Sequence, residues 1–141
     1  MENRITSLRA YLFTVLDEIL QNSTYQINAN MLDNDINNYS LDKIPTSSTI
    51  EKWIFGIEIH RDVFSFRSRK AYSQDTINNL ANIGFFETFE DKIKSNNNKG
   101  ILPEIAGIES IECLNTGTMV SAETNTAEFD IQLQITYKKE V

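Results

Sequence analysis

The chain has 141 residues, a formal net charge of −7 and one cysteine. That length suits one domain, residues 1–141, and hydrophobic and charged fractions of 40% and 23% are ordinary for a soluble protein. The acidic balance argues against a dedicated nucleic-acid binder, the lone cysteine excludes an internal disulfide, and no apolar run reaches the roughly 18–20 residues of a membrane span. We therefore expect a soluble, single-domain protein of a reducing cytoplasm.

The first predicted elements are a helix and a strand. The helix is expected over residues 5–21, because its apolar residues recur at spacings of three and four. Residues 33–49 are rich in Asn, Asp and Ser, which predicts a long surface loop. The strand lies between them, with alternate residues expected on one face: Tyr25, Ile27, Ala29 and Met31.

A β-hairpin is predicted next, from side-chain parity. Trp53 and Phe55 share one parity and Phe64 and Phe66 the other, and a strand changes parity only at a turn or a bulge. Gly56 favours a turn. The predicted strands are residues 50–55 and 59–71 with a turn near 56–58, and the alternative is one strand with a bulge near Asp62.

The same segment concentrates positive charge in an acidic chain. Arg61, Arg67 and Arg69 have the parity opposite to Phe64 and Phe66, so they line one face of an unbulged strand. One interpretation is a solvated sheet face. The other is a charge-complementary contact with an acidic surface, such as another copy of this protein. Phosphate binding ranks third, because the rest of the chain repels anions.

A second helix and two strands are predicted in the remainder. Asp75 is expected to cap the helix, Gly84 to kink or break it, and the stretch SNNNKG to end it before Gly100. The strands GIESIECL and AEFDIQLQITY follow. The element order predicts an α+β fold, with an N-terminal and a central helix on one face of an antiparallel sheet. The apolar residues at helical spacing in the second helix are Ile77, Leu80, Ala81, Phe86, Phe89 and Ile93.

Residues 115–126, between the last two strands, are expected to form a polar hairpin loop. Met119 and Val120 lie near its middle. Apolar loop tips of that kind dock into a partner or fold back onto their own sheet.

The sequence offers no constellation for catalysis, a cofactor or a metal. His60 is the only histidine and is expected to point outward from a strand. Cys113 is expected to be a buried, inert thiol. Glu87, Glu90 and Asp91 are expected on a solvated helix face. We therefore do not expect an enzyme.

One segment resembles a known family: FSFRSRKAYSQDTINNLANIGFFETFEDKIKSNNNKGILPE, together with the closing FDIQLQITY. The similarity runs over residues 53–137 and is to small proteins of the tail-assembly genes of tailed phages and prophages, known as minor capsid or tail terminator proteins. The chain departs from the family pattern at two places. Lys92 stands where an aromatic residue is common in the family, and Met119 and Val120 stand where the late loop often carries aromatic residues.

The resemblance implies a structural subunit without a cofactor. Proteins of this family close into a ring, usually a hexamer, on the last ring of the tail tube. That ring stops tube growth and joins the head through neck or connector proteins, and in contractile tails it also holds the last sheath subunits. The implied location is the tail or neck of a virion or phage-tail-like particle, which includes headless bacteriocins, after assembly in the host cytoplasm. DNA would be only passing cargo.

On this interpretation, Arg61, Arg67 and Arg69 meet acidic groups of a neighbouring subunit or of the tube, and Met119 and Val120 are further candidate contacts. Phe64 and Phe66 belong to the core. The alternatives are another neck or baseplate component and, from a different class, a monomeric regulatory or ligand-binding domain.

Overall fold

The computed structural model describes residues 3–20, 26–29, 31–32, 38–45, 49–52, 56–72, 76–122 and 125–140. In these ranges the chain forms two helices and seven strands, which confirms the predicted α+β class. The elements are α1 (Arg4–Leu20), β1 (Gln26–Ala29), β2 (Asn38–Ile44), β3 (Thr49–Lys52), β4 (Ile57–Ala71), α2 (Thr76–Lys99), β5 (Ile108–Cys113), β6 (Thr118–Ala122) and β7 (Thr126–Glu140).

Two long strands organise the sheet. β4 and β7 have 15 residues each and pair antiparallel along their whole length. On the far edge of β4 lie β2 and β3, and on the far edge of β7 lie β5 and β6, all antiparallel to the long strand that they contact. β1 pairs in parallel with β2, so the sheet departs from the predicted antiparallel arrangement at that edge.

The prediction of a surface loop over residues 33–49 is wrong, because β2 lies within it. Tyr39 and Leu41 are fully buried on the face that the helices cover, whereas Ser40 and Asp42 alternate onto the other face. Asn, Asp and Ser are poor strand formers, but pairing with β4 and burial of the two apolar side chains outweigh that preference. Residues 33–37 and 46–48 lie outside the described ranges.

The predicted hairpin is confirmed. β3 pairs antiparallel with β4, and Gly56 precedes β4 with a φ of 77°, a left-handed conformation that favours glycine. The register between β4 and β7 is continuous from Ile57 to Ala71, so the alternative of a bulge near Asp62 is wrong. Trp53 and Phe55 lie outside the described residues.

The first predicted strand is shorter than expected. β1 ends at Ala29, and only Ile27 of its expected apolar face is buried, whereas Ala29 and Met31 are exposed. Tyr25 lies outside the described residues. Burial of one side chain is the contribution of this edge strand to the core.

Helix α2 runs unbroken through Gly84, so the predicted break is wrong. A glycine costs a helix interior only about 1 kcal/mol, and burial of Phe86 and Phe89 beyond it offsets that cost. The predicted end is confirmed. Gly100 has a φ of 75°, its N–H donates to Asn97 O at 3.2 Å, and the next N–H donates to Asn96 O at 2.8 Å, which is a Schellman motif.

The N-terminal half of α2 is less covered than its spacing predicts. Leu80 is 61% exposed, and Ala81 is also exposed. The side chain of Ile77 and the whole of Asp75 lie outside what the structure describes.

The helices cover one face of the sheet, as predicted. Phe64 and Phe66 are each 1% exposed, and they lie opposite Leu133 and Ile131 of β7. Leu12 of α1 and Phe89 of α2 belong to the same buried cluster, which identifies the covered face. The odd-numbered residues of β4 therefore lie on the opposite, uncovered face.

Candidate functional site

The three arginines lie on the uncovered face of β4, but their environments differ. Arg61 is exposed, Arg67 has a side chain that is 26% exposed, and Arg69 is buried. Within the described residues, Arg61 makes no ion pair. Of the three arginines, Arg61 is therefore the one whose cation is exposed and makes no ion pair with a described residue.

Arg67 lies between two carboxylates of its own sheet. Its Nε is 2.6 Å from Asp42 Oδ2 on β2, and its Nη1 is 3.7 Å from Glu128 Oε1 on β7. The Nε–H lacks the alignment of a hydrogen bond, so the contact with Asp42 is an ion pair rather than a hydrogen bond. Ser40 Oγ accepts from Arg67 Nη2 at 3.4 Å and donates to Asp42 Oδ1 at 2.7 Å. A contact between Arg67 and another subunit would have to compete with these bonds.

Met119 and Val120 lie in a strand and not in the predicted loop. They belong to β6, which ends at Ala122 and pairs antiparallel with β7. Thr, Met and Val suit a pleated surface, and pairing with β7 overrides the polar composition around them. Gly117 makes room for α2 beside this strand, because a Cβ there would lie 2.3 Å from the Phe86 ring.

β6 is the outermost described strand on its side of the sheet. All five of its residues are exposed, with Met119 at 44% and Val120 at 53%. Met119 lies opposite Phe129, whereas a register shift between Met119 and Ser121 leaves Val120 with no residue opposite it in β7. An edge strand with exposed apolar residues can pair with a further chain.

A cleft of about 1020 Å³ lies on the covered side, near the opposite end of the two long strands. The first turn of α1, the connector at residues 104–107 and the ends of β4 and β7 surround it. Ile5, Phe64 and Ile105 supply apolar walls, and charged residues such as Lys43, Glu104 and Lys138 also line the cleft. The cleft is therefore an opening beside the hydrophobic core whose walls are partly apolar and partly charged.

Asp62 is buried at one side of this cleft. Its side chain is 1% exposed, and its Oδ2 accepts hydrogen bonds from Arg4 Nε at 2.8 Å and from Tyr137 Oη at 3.3 Å. The Arg4 guanidinium also lies 4.8 Å from the centre of the Tyr137 ring. Asp62 Oδ1 is buried and has no hydrogen-bond partner in the described structure. An unsatisfied buried acceptor is costly, so this oxygen is a place where a donor would be stabilised.

His60 is buried, so the prediction of an outward side chain is wrong. Its Nε2 lies 2.9 Å from Glu58 Oε1, and its ring stacks on Tyr137 with 5.4 Å between the ring centres. His60 and Asp62 have the same parity as Phe64, so the sequence already held the signal that both polar side chains face the core.

Lys70 is a third polar residue of that parity and lies among aromatic rings. Its Nζ donates to Tyr39 Oη at 2.5 Å and lies 3.5 Å from the centre of the Phe85 ring. Burial lowers the pKa of Lys70 to about 7, because desolvation disfavours the charged ammonium. The aromatic faces offset part of that cost through cation–π attraction.

The remaining reactive groups show little chemistry. Cys113 is half-buried, and desolvation, followed by repulsion from Glu90, raises the pKa of its thiol to about 12, so the thiolate is scarce at neutral pH, consistent with the predicted inert thiol. Among the described residues, no group of three or more His, Cys, Asp or Glu side chains is placed to hold a metal ion. No described helix is long and apolar enough to cross a membrane.

Of the five predicted contact residues, the structure places Arg61, Arg67 and Arg69 on the uncovered face of β4 and Met119 and Val120 on the edge strand β6. The cleft around Asp62 was not predicted. Neither a model of a known protein family nor a curated protein matches this chain.

Proposed function

We propose that the chain is a tail terminator, a non-enzymatic subunit that forms a ring on the end of a phage or phage-like tail tube. The observation that carries the proposal is the edge strand β6, on which the apolar residues Met119 and Val120 are exposed. A neighbouring chain can cover such an edge. The likeness of the segment around FSFRSR and NIGFFETFEDKI to the tail terminator family supplies the identity of the assembly.

The placement of the two sheet edges supports a ring. β1 lies at one edge, and β5 and β6 lie at the other, so the two edges of a subunit carry different residues. Contact between unlike surfaces is head-to-tail, and it gives a closed ring when successive rotations add up to a full turn. A hexamer is the stoichiometry that the resemblance favours.

In this role the ring has protein partners on both sides. The tube protein lies below it, neck or connector proteins lie above it, and sheath subunits join it if the tail contracts. The subunit has a net charge of −7, so a lumen lined by its acidic residues lets DNA slide through without binding. The chain would work in the host cytoplasm during assembly and in the finished particle thereafter.

A second candidate function is a monomeric ligand-binding domain. The cleft of about 1020 Å³ with the unpaired oxygen of Asp62 favours it, because ligand sites combine apolar walls with a few polar groups. Oligomeric state separates the two candidates: a ring subunit associates with itself or with tube ends, whereas this alternative stays monomeric beside them.

Addition of the purified chain to growing tail tubes tests the proposal. Tubes of the cognate tube protein should stop growing when the chain is added, and electron microscopy should show a cap at one end. Growth that continues unchanged at saturating concentration would contradict the proposal and would favour another neck or baseplate component.

A further inference from the structure

The apolar edge and the cleft lie at opposite ends of the long strands. Met119 of β6 faces Phe129 on β7, whereas Tyr137 of β7 lines the cleft. These two positions of β7 are eight residues apart, which corresponds to about 26 Å along a strand. One subunit therefore carries an exposed apolar segment at one end and an opening with partly apolar walls at the other.

The polar groups of the cleft match a peptide unit. Asp62 Oδ1 has no donor in the described structure, and Arg4 bonds Asp62 through Nε, with 42% of its side chain exposed, so its Nη groups can donate to a further acceptor. Because Arg4 and Asp62 are bonded to each other, the Asp62 acceptor and the Arg4 donors lie side by side. A group that offers an N–H and a C=O together satisfies both, as an amide does.

The segment around Val120 offers that combination. Its side chain is 53% exposed and apolar, and no residue of β7 lies opposite it in the register. The outer side of an edge strand presents backbone N–H and C=O groups that its own sheet does not use. The apolar side chain fits the part of the cleft that Ile5 and Ile105 line.

We infer that the cleft of one subunit receives the Met119–Val120 segment of a second copy, with a peptide unit of that segment bonded to Asp62 and Arg4. This inference rests on the proposed ring and assigns its subunit contact. The contact joins unlike surfaces, so each subunit can give one segment and receive one.

A pair of complementary variants tests the contact. Ala106→Tyr narrows the cleft, and Met119→Ser with Val120→Ser removes the apolar segment. All three positions are exposed, so the subunit should keep its fold, which thermal melting checks. Ala10→Tyr, at an exposed position of α1 outside the cleft and away from the sheet edges, is the matched control for the added ring.

Native mass spectrometry and sedimentation velocity provide the readout. The parent chain and Ala10→Tyr should associate, and each contact variant alone should stay monomeric at concentrations at least roughly tenfold higher. Mixing the two contact variants should give a one-to-one dimer that does not grow, because one intact segment and one intact cleft remain in the mixture.

Three outcomes would overturn the inference: association of either variant like the parent, a mixture that stays monomeric, or a parent chain that never associates. Tail length in particles that lack the chain tests the proposed function separately. If the association experiments reject the contact but particles that lack the chain have tails of uncontrolled length, only this inference is rejected. If the association experiments support the contact but particles that lack the chain have tails of normal length, only the tail terminator role is rejected.

Discussion

Arg4 and Asp62 are 58 positions apart in the chain and form an ion pair at 2.8 Å, which ties the first turn of α1 to the covered face of β4. The carboxylate is buried, whereas 42% of the arginine side chain is exposed. The pair thus joins a solvated cation to a buried anion, one oxygen of which has no donor among the described residues.

Removal of the arginine should destabilise the subunit. Arg4→Gln leaves a buried carboxylate with Tyr137 as its main donor, and we expect a loss of about 1–3 kcal/mol in the free energy of unfolding. Arg61→Gln, the control at an exposed position without an ion pair among the described residues, should change it by less than about 0.5 kcal/mol. Urea denaturation measures both.

The double variant Arg4→Gln with Asp62→Asn should recover part of that loss, because a neutral amide needs no counter-charge. The coupling between the two sites follows from the double-mutant cycle. Equal effects of Arg4→Gln and Arg61→Gln would show that the ion pair contributes nothing to stability.

The assignment of the two faces of β4 predicts a large effect at Phe64. The side chain is 1% exposed, so Phe64→Ala should lower the free energy of unfolding by about 3–5 kcal/mol. Val63→Ala, next to it on the uncovered face, should cost much less because Val63 is only half-buried. A Phe64→Ala subunit that melts like the parent would mean that the faces are reversed.

Lys70 predicts a specific pH dependence. Its pKa is about 7 in the fold, below the ordinary 10.5, so between these values the unfolded chain binds more protons. Stability should therefore rise with pH across that window, by up to about 1.4 kcal/mol per pH unit from this group. Below pH 7 the full cost of burying the ammonium remains.

Lys70→Met isolates this contribution. The variant should be more stable than the parent at pH 6, and the difference should shrink as the pH approaches 10. Chemical denaturation at several pH values gives both curves. A difference that does not change with pH would show that Lys70 keeps its ordinary pKa in the fold.

The different environments of Arg67 and Arg61 predict different effects: replacement of Arg67 should affect the stability of the subunit, and replacement of Arg61 should affect its binding to tube ends. Arg67→Gln leaves Asp42 and Glu128 without their cation, so it should lower subunit stability by about 1 kcal/mol or less, given partial exposure. Arg61→Gln should leave stability unchanged but weaken binding to tube ends, more strongly at low salt than at moderate salt. If Arg61→Gln binds tube ends as the parent does, Arg61 belongs to an ordinary solvated sheet face and makes no contact with the tube.

The alternation of side chains between the two faces of a strand predicted the face of each β4 residue and the position of the turn before it. The opposite faces of Phe64 and Arg67 and the turn at Gly56 follow from the sequence because strands alternate strictly. The same rule puts His60, Asp62 and Lys70 on the core face, but the prediction for His60 followed its polarity and was therefore wrong. A charged residue between core positions of one strand is therefore a sign of a buried polar contact.

The strands β2 and β6 could not be found in this way. The Asn, Asp and Ser residues in and around β2 and the polar residues that flank β6 favour loops, and both segments become strands because β4 and β7 extend far enough to pair with them. The cleft depends on Arg4, Asp62 and Tyr137, which three separate elements bring together. No local pattern in the sequence specifies that contact.

Tail length in particles made with and without this chain tests the tail terminator role most directly. The measurement is the length distribution by electron microscopy, with the parent chain and the Met119→Ser, Val120→Ser variant supplied in trans. Our account predicts uncontrolled, headless tails without the chain, normal tails with the parent and uncontrolled tails with the variant. Tails of normal length that carry heads in the absence of the chain would contradict it.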